Sequence, residues 1–307
     1  AIAAVHTQEA GALRADLYID CSGFRARLIG EALGSPFKSM RDVLFVDRAL
    51  AMQVPYERAD APIASVTIAS AQRDGWIWDI GLQERRGIGH VYSSRHCDDE
   101  EAERALRRYV GPAGDALMPR KLMLNIGYRE TQWVHNCVAV GLSGGFLEPL
   151  ESTSIYLAQS GITRLLSLFP QGDMNPMLVE RYNRESAFEY ERVRDFLILH
   201  YKATERDDSP FWNHCRHLDI PDTLAHKIDL FRASGRVFRE NGELFGETSW
   251  IQVMIGQGIM PKAYHPFADR LSDAELVRYL EDLKSVIAKC VNVMPTHAQF
   301  VAAQCAA

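Results

Sequence analysis

The segment Asn136–Ser154 constrains the fold more than any other part of the chain. A short apolar run, Cys137–Val140, leads into Gly141-Leu-Ser143-Gly-Gly145-Phe146. An acidic, proline-containing stretch follows, Leu147-Glu148-Pro149-Leu150-Glu151, and then Ser152-Thr153-Ser154 ahead of a periodic apolar run. That order reads as strand, glycine-rich turn, loop and helix start, because glycine turns tightly and Ser or Thr caps helices. Glycines let backbone approach a ligand closely, and free N–H groups at a helix start attract anions. The stretch therefore suits a cofactor phosphate, a flavin ring edge or a halide. A tight strand-to-helix connection without a ligand satisfies the same pattern.

Other chemistries compete for the same residues. Gly141-Leu-Ser143-Gly-Gly145 has the G-x-S-x-G spacing of a hydrolase nucleophile elbow, but that motif needs a helix directly after the serine. Pro149, six residues on, would disrupt such a helix. Glu148 and Glu151 flank Pro149 and could act as acid and base. Spacing alone favours a helix-dipole role for Glu148 and leaves Glu151 open. In Gly75-Trp76-Ile-Trp78-Asp79-Ile80 the period of two puts both indoles on one strand face, to wall a flavin or aromatic substrate or simply to fill a core. His214-Cys215-x-His217 lacks a second ligand pair at zinc spacing, so no metal is expected. Arg104, Arg107 and Arg108 read as the solvated side of a helix.

Along the chain, strands are expected at Ala15–Cys21, Val43–Val46, Ser65–Ala69, Trp76–Ile80, Gly89–Tyr92, Leu122–Ile126 and Cys137–Val140, with a helix at Asp98–Val110. The rest is helical. Ile155, Ala158, Ile162, Leu165, Leu166 and Phe169 recur at helical spacing behind the caps Ser152 and Thr153. Asn175-Pro176 opens a helix to about Tyr201, Asp222–Ser234 is stopped by Gly235, and Ser272–Glu275 is a capping box before Leu276, Leu280, Leu283 and Ile287. Strands followed by helices give a mixed α/β (α+β) class with a helical C-terminal region.

With 34 basic against 40 acidic side chains, the net charge of −6 argues against nucleic acid as partner. No apolar run reaches the roughly 18–20 residues of a membrane span. The six cysteines lie apart without a C-x-x-C pair, which fits reduced thiols in the cytoplasm. The chain opens Ala1-Ile-Ala-Ala4, with neither Met nor signal peptide, and is expected to be part of something longer.

Three stretches together resemble the flavin-dependent halogenases of the tryptophan-halogenase-like family: Gly75–Ile80, close to their W-x-W-x-I-P signature; Val138–Ser154, close to their active-site segment; and Asp20-Cys-Ser-Gly-Phe24, close to the strand and turn closing their FAD domain. The resemblance implies an aromatic-hydroxylase-like FAD-binding fold with an antiparallel sheet. It divides the chain into the end of the FAD-binding domain (1–45), a sheet region with the double-tryptophan motif (46–120), a return segment with the active-site loop (121–170) and a helical substrate region (171–307). It implies FAD reduced by a separate flavin reductase, oxygen, and chloride or bromide, giving hypohalous acid that halogenates an indole-type or other small aromatic substrate. A homodimer is compatible with it.

Carried over by residue, Glu151 matches the glutamate that assists halogenation and Ser152 its neighbour, and Thr153 and Ser154 match the pair whose N–H groups hold halide. Ser22, Gly23, Gly141, Gly145, Phe146, Pro149 and Ile155 match the cofactor surroundings, and Trp76 and Trp78 keep substrate from the flavin. On the substrate side, alignment on Gly256-Gln-Gly258 sets Leu244-Phe245 where tryptophan-specific members carry Phe-Trp, Ala233-Ser234 where they carry a tyrosine pair, and Glu240 near their amine-contacting acid. The family's G-x-G-x-x-G fingerprint and catalytic lysine have no counterpart here, and Gly81 replaces the signature's proline. A flavin-dependent aromatic monooxygenase and a non-catalytic helical binding module are the alternatives.

Overall fold

Strand pairing over long sequence distances organises the N-terminal half. The computed structural model describes residues 1–58 and 60–305. Its strands are β1 Val5–Thr7, β2 Gly11–Leu13, β3 Tyr18–Asp20, β4 Phe37–Ser39, β5 Arg48–Pro55, β6 Ile68–Gln72, β7 Gly75–Gly81, β8 Arg85–Tyr92, β9 Arg120–Met123, β10 Gly127–Arg129, β11 Trp133–Val134, β12 Cys137–Ala139 and β13 Gly145–Phe146. Its α-helices are α1 Asp99–Val110, α2 Ser154–Ser167, α3 Pro176–Lys202, α4 Pro210–His217, α5 Asp222–Ser234, α6 Glu247–Gly256, α7 Asp273–Val293 and α8 His297–Gln304.

The main sheet is antiparallel, in the order β6-β7-β8-β5-β9. Alternation sends Ile77, Ile88, Leu50 and Met52 to one face, where Ala102, Leu106 and Val110 of α1 cover them. Trp76, Val91 and Ala49 lie in a second core, with α3, α4, α5 and α6. A smaller sheet, β11-β12-β3, holds a parallel pair in which Tyr18 faces Cys137 and Asp20 faces Ala139.

Helix ends follow their local chemistry. Asp98 caps α1 by accepting the Glu101 N–H at 2.8 Å, and Asn175 caps α3 by accepting from Met177 at 2.9 Å. Gly235 ends α5 at φ 68°, and Ser272 with Glu275 forms the expected capping box of α7. The stripe behind that box, Leu276, Leu280, Leu283 and Ile287, is nevertheless exposed. Among the described residues of the helical stretch 171–307, only those up to Ile259 contribute buried side chains to the cores.

Three expectations fail on the strands, one of them Ser65–Ala69, which shifts to Ile68–Gln72 where pairing with β7 sets the register. Val43–Val46 is not a strand; Val43 and Leu44 donate to the Met40 carbonyl in a turn, and Leu44, Phe45 and Val46 are buried as irregular chain. A short apolar run signals burial and not a particular backbone. The strand begins afterwards, at Arg48, where pairing with both β8 and β9 becomes available. Leu122–Ile126 likewise shifts to Arg120–Met123, the register set by β5.

Trp78 depends on a glycine in the next strand. Gly89 pairs with it, and a Cβ there would fall 2.1 Å from the indole. Gly89→Ala is expected to push Trp78 off its seat and cost about 1–3 kcal/mol, as overpacking does. Urea unfolding with near-ultraviolet circular dichroism measures both the loss and the displaced indole.

Candidate active site

Two glycine turns leave the same end of the parallel pair. β3 runs into Ser22-Gly23 and β12 into Gly141–Gly145. Because the strands are parallel neighbours, both turns lie at carboxyl ends, where open α/β sheets bind ligands. Asp20 ties the turns together. Its buried carboxylate accepts the Ser22 N–H (2.9 Å), the Ser22 hydroxyl (2.5 Å) and the N–H groups of Leu28 and Ile29 (both 2.8 Å). Its carbonyl accepts the Val140 N–H at 3.0 Å and the Ser143 hydroxyl. Burial pushes this carboxyl upward, but the Ser22 hydroxyl and the backbone N–H groups outweigh it and hold Asp20 below its ordinary 3.8.

The turn glycines divide into two kinds. Gly23 and Gly141 both sit at φ 71°, in the left-handed region. A Cβ at Gly23 would meet nothing within 4 Å, and one at Gly141 only the Ala158 methyl at 4.0 Å, so both present open faces to a ligand. At Gly145 a Cβ would lie 2.7 Å from the Tyr128 Cα, so this glycine is required by close packing of β13 on β10. Phe146 meets Phe24 edge-on at 5.7 Å, closing the gap between the turns. Ser143 is buried with its hydroxyl directed at the Asp20 and Val140 carbonyls, and α2 begins only at Ser154, so the nucleophile-elbow reading is excluded.

The loop beyond the turn carries the two carboxylates to different surroundings. Pro149 accepts the Ser152 N–H at 3.0 Å, and Ser152 is left-handed at φ 53°. For a residue with a Cβ that conformation costs about 1–2 kcal/mol. Thr153 is the N-cap position of α2 but makes no capping bond, so side chains leave the first N–H groups of the helix free. Ser154 is the first helical residue, and Ile155 after it is exposed.

Glu151 Oε1 lies 2.9 Å from Nε2 of His200 on α3. The other ring nitrogen, Nδ1, is 2.8 Å from the Phe196 carbonyl, which can only accept, so Nδ1 carries a proton. Nε2 is then the ring nitrogen turned to Glu151. Glu148 is no surface charge against a helix dipole: it is 1% exposed, and its Oε2 accepts from Trp76 Nε1 at 3.3 Å and from the Tyr201 hydroxyl at 3.0 Å. Burial pushes its carboxyl up to about 7, with the Tyr201 and Trp76 bonds pulling the other way. Trp76 and Trp78 share a face as expected, with ring centroids 6.2 Å apart and an edge-on contact.

The substrate-side expectations disperse. Glu240 pairs with Arg192 at 3.0 Å, while Glu243, not singled out from the sequence, is the buried acid, bound to Lys227 at 2.6 Å. Leu244 and Phe245 pack on the core, with Phe245 stacked on Phe196 at 3.9 Å and Phe196 edge-on to His200 at 5.0 Å. A cleft of about 590 Å³ is lined instead by His200, Thr204, Trp212 and Ile255–Gly258, a size suited to small ligands. Of the metal-like trio, His214 stacks on Phe45 at 4.1 Å and Cys215 is a buried thiol pushed up to about 12 by burial. Among the described residues no cluster of three or more His, Cys, Asp or Glu side chains could hold a metal, and no helix is long and apolar enough to cross a membrane. All six cysteines are free.

Sequence reasoning missed Asp20, His200 and Tyr201. Asp20 could have been found, since an Asp two residues before Ser-Gly is a turn former. His200 and Tyr201 carried no local signal.

The parallel strand pair with its two glycine turns, the left-handed loop and the uncapped helix start make up one assembly. The chain matches the tryptophan halogenase family model over residues 1–273 and belongs to that family. It is 37% identical to a tryptophan 6-halogenase of Streptomyces toxytricini over 98% of this chain and 58% of that protein. The solved structure of a flavin-dependent halogenase from Xanthomonas campestris superposes with TM-score 0.92 at 45% identity, covering 97% of this chain and 60% of that one. One from Brevundimonas superposes at 0.91 and 40% identity, over 98% and 63%. The chain thus spans about three fifths of the length of these relatives. The mixed α/β architecture with an antiparallel sheet is that of this family.

Asp20 gives the turns a pH signature. Because its folded-state pKa is depressed, its contribution is full above 3.8 and is lost as pH falls through the folded value. Asp20→Asn is expected to cost about 1.5–3 kcal/mol at neutral pH. The gap from wild type should hold down to about pH 4 and narrow only below 3.8, as followed by denaturant midpoints into the acid range.

Proposed function

We propose that this chain carries the halide-binding and proton-handling parts of an FAD-dependent halogenase acting on an indole-type or other small aromatic ring. The observation that supports it most is local. The Glu151 carboxylate and the uncapped amino end of α2 belong to one turn, and that turn follows the open-faced glycine turn at the end of β12. Gly23 and Gly141, with Ser22 and Phe146, are the residues suited to hold the isoalloxazine and its neighbours. Reduced flavin, when bound, would activate dioxygen, and dioxygen would supply the two-electron oxidation that turns halide into an electrophilic halogen. A separate flavin reductase as electron source belongs to the same proposal.

The remaining roles follow from the side chains. The N–H groups of Thr153 and Ser154 attract chloride or bromide through the helix end, where partial positive charge accumulates. Trp76 and Trp78 form an apolar wall that keeps the aromatic substrate from the flavin. Glu151 stabilises the cationic ring formed when halogen adds, and accepts the proton that the ring carbon then loses. His200 orients Glu151 and supplies or takes up the proton on that oxygen.

The test uses the full-length protein with FAD, a flavin reductase and bromide. A product in which bromine replaces a ring hydrogen supports the proposal; a product that gains only oxygen would overturn it in favour of a monooxygenase. Glu151→Gln is expected to lower turnover about 10²–10⁴-fold, the usual loss for an acid/base group. His200→Ala should lower it about ten- to a hundredfold, the worth of a hydrogen bond to a charged group. Flavin binding, read by fluorescence, should be unchanged in both.

A further inference from the structure

Glu148 has a use that the halogenase reading leaves unassigned. Its side chain joins three elements: its own loop, β7 through Trp76 and α3 through Tyr201. Both bonds end on Oε2, whereas Oε1 is buried without a partner. An ionised carboxylate has acceptor sites on both oxygens and loses free energy when one is left dry. The groups around it are Trp76 from β7, Tyr201 and His200 from α3, Cys215 from α4 and Glu151 from its own loop. Of these only His200 can carry positive charge, and its Nε2 is engaged by Glu151. Trp76 Nε1–H and the Tyr201 hydroxyl both donate to Oε2, so the unpartnered Oε1 is the oxygen open to a proton.

We propose that Glu148 is a positioning residue that works as the neutral carboxylic acid, clamping the Glu-Pro-Leu-Glu turn to the double-tryptophan strand and adding no negative charge beside Glu151. The inference rests on the proposed function only through the role of Glu151. The clamp fixes Glu151 from the other end of the turn, three residues away, while His200 holds it from α3. The adjacency of His200 and Tyr201 on one helix makes the two contacts a single unit.

The proton linkage has a definite sign. A carboxyl raised from 4.5 to about 7 in the folded state keeps a proton that the unfolded chain releases. Its contribution to stability is full below 4.5 and is lost as pH rises through about 7, where Glu148 ionises against Glu151 and the clamp loosens.

The experiment compares the full-length wild type with Glu148→Gln and Glu148→Leu, and with Glu151→Gln as reference. Glutamine reproduces the neutral acid, an acceptor for Trp76 and Tyr201 without a titrating proton; leucine removes the acceptor. Tryptophan fluorescence and near-ultraviolet circular dichroism, without turnover, should show a one-proton transition near neutral pH in wild type and none in Glu148→Gln. Leucine should lower kcat about tenfold or more, with glutamine restoring most of it and flattening the fall above neutral pH. Should the leucine variant fail to fold, the glutamine variant and its titration decide alone. A neutral-pH transition that persists in Glu148→Gln, or a turnover loss there as large as in Glu151→Gln, overturns the proposal. Full turnover in Glu151→Gln would sink the role of Glu151 instead, and the fluorescence titration would still report on Glu148.

Discussion

The parallel pairing of β3 with β12 is the constraint on which the rest of the site depends. Residues more than a hundred positions apart meet in register, Asp20 against Ala139. Only that register sends both glycine turns out of the same end of the sheet. Asp20 then fastens them, its carboxylate to the first turn and its carbonyl to the second. Helix α2 follows from the second turn, so its uncapped start faces the same place. One buried aspartate thus holds two distant turns at a single corner of the sheet.

The two glutamates of the loop show how environment divides one motif into two roles. They are three residues apart and chemically identical. Glu151 is part-exposed and meets His200, a group able to exchange a proton. Glu148 is sealed under Trp76 and Tyr201, where an indole N–H and a phenol reach one oxygen only. Burial without a cation favours the neutral acid, and a hydrogen-bonded imidazole favours proton traffic. The double-tryptophan strand gains a structural meaning here: Trp76 is buried in the core and anchors the loop that carries Glu151.

Much of the architecture was legible before any coordinates. Asp98, Asn175, Gly235 and the Ser272–Glu275 box mark helix ends by local chemistry, and each stands where its chemistry put it. The shared face of Trp76 and Trp78 follows from strand period alone. Val43–Val46 was not legible, because apolar composition reports burial and burial does not require a strand. Gly145 and Gly89 were ambiguous for a related reason: a glycine that admits a ligand and one that admits a neighbouring strand look alike in sequence.

The sequence by itself determined the local grammar of the site: a strand, a glycine turn, an acidic loop and a helix start, with Glu151 through Ser154 at the join. It carried the family resemblance as well, through three separate stretches, Asp20–Phe24, Gly75–Ile80 and Val138–Ser154, each readable locally. Only the tertiary structure decided which carboxylate is buried, that His200 and Tyr201 stand behind the loop, and that Glu240 is spent on Arg192. Charge state and proton transfer depend on solvent access and on partners brought from distant elements, and neither is a property of neighbours along the chain.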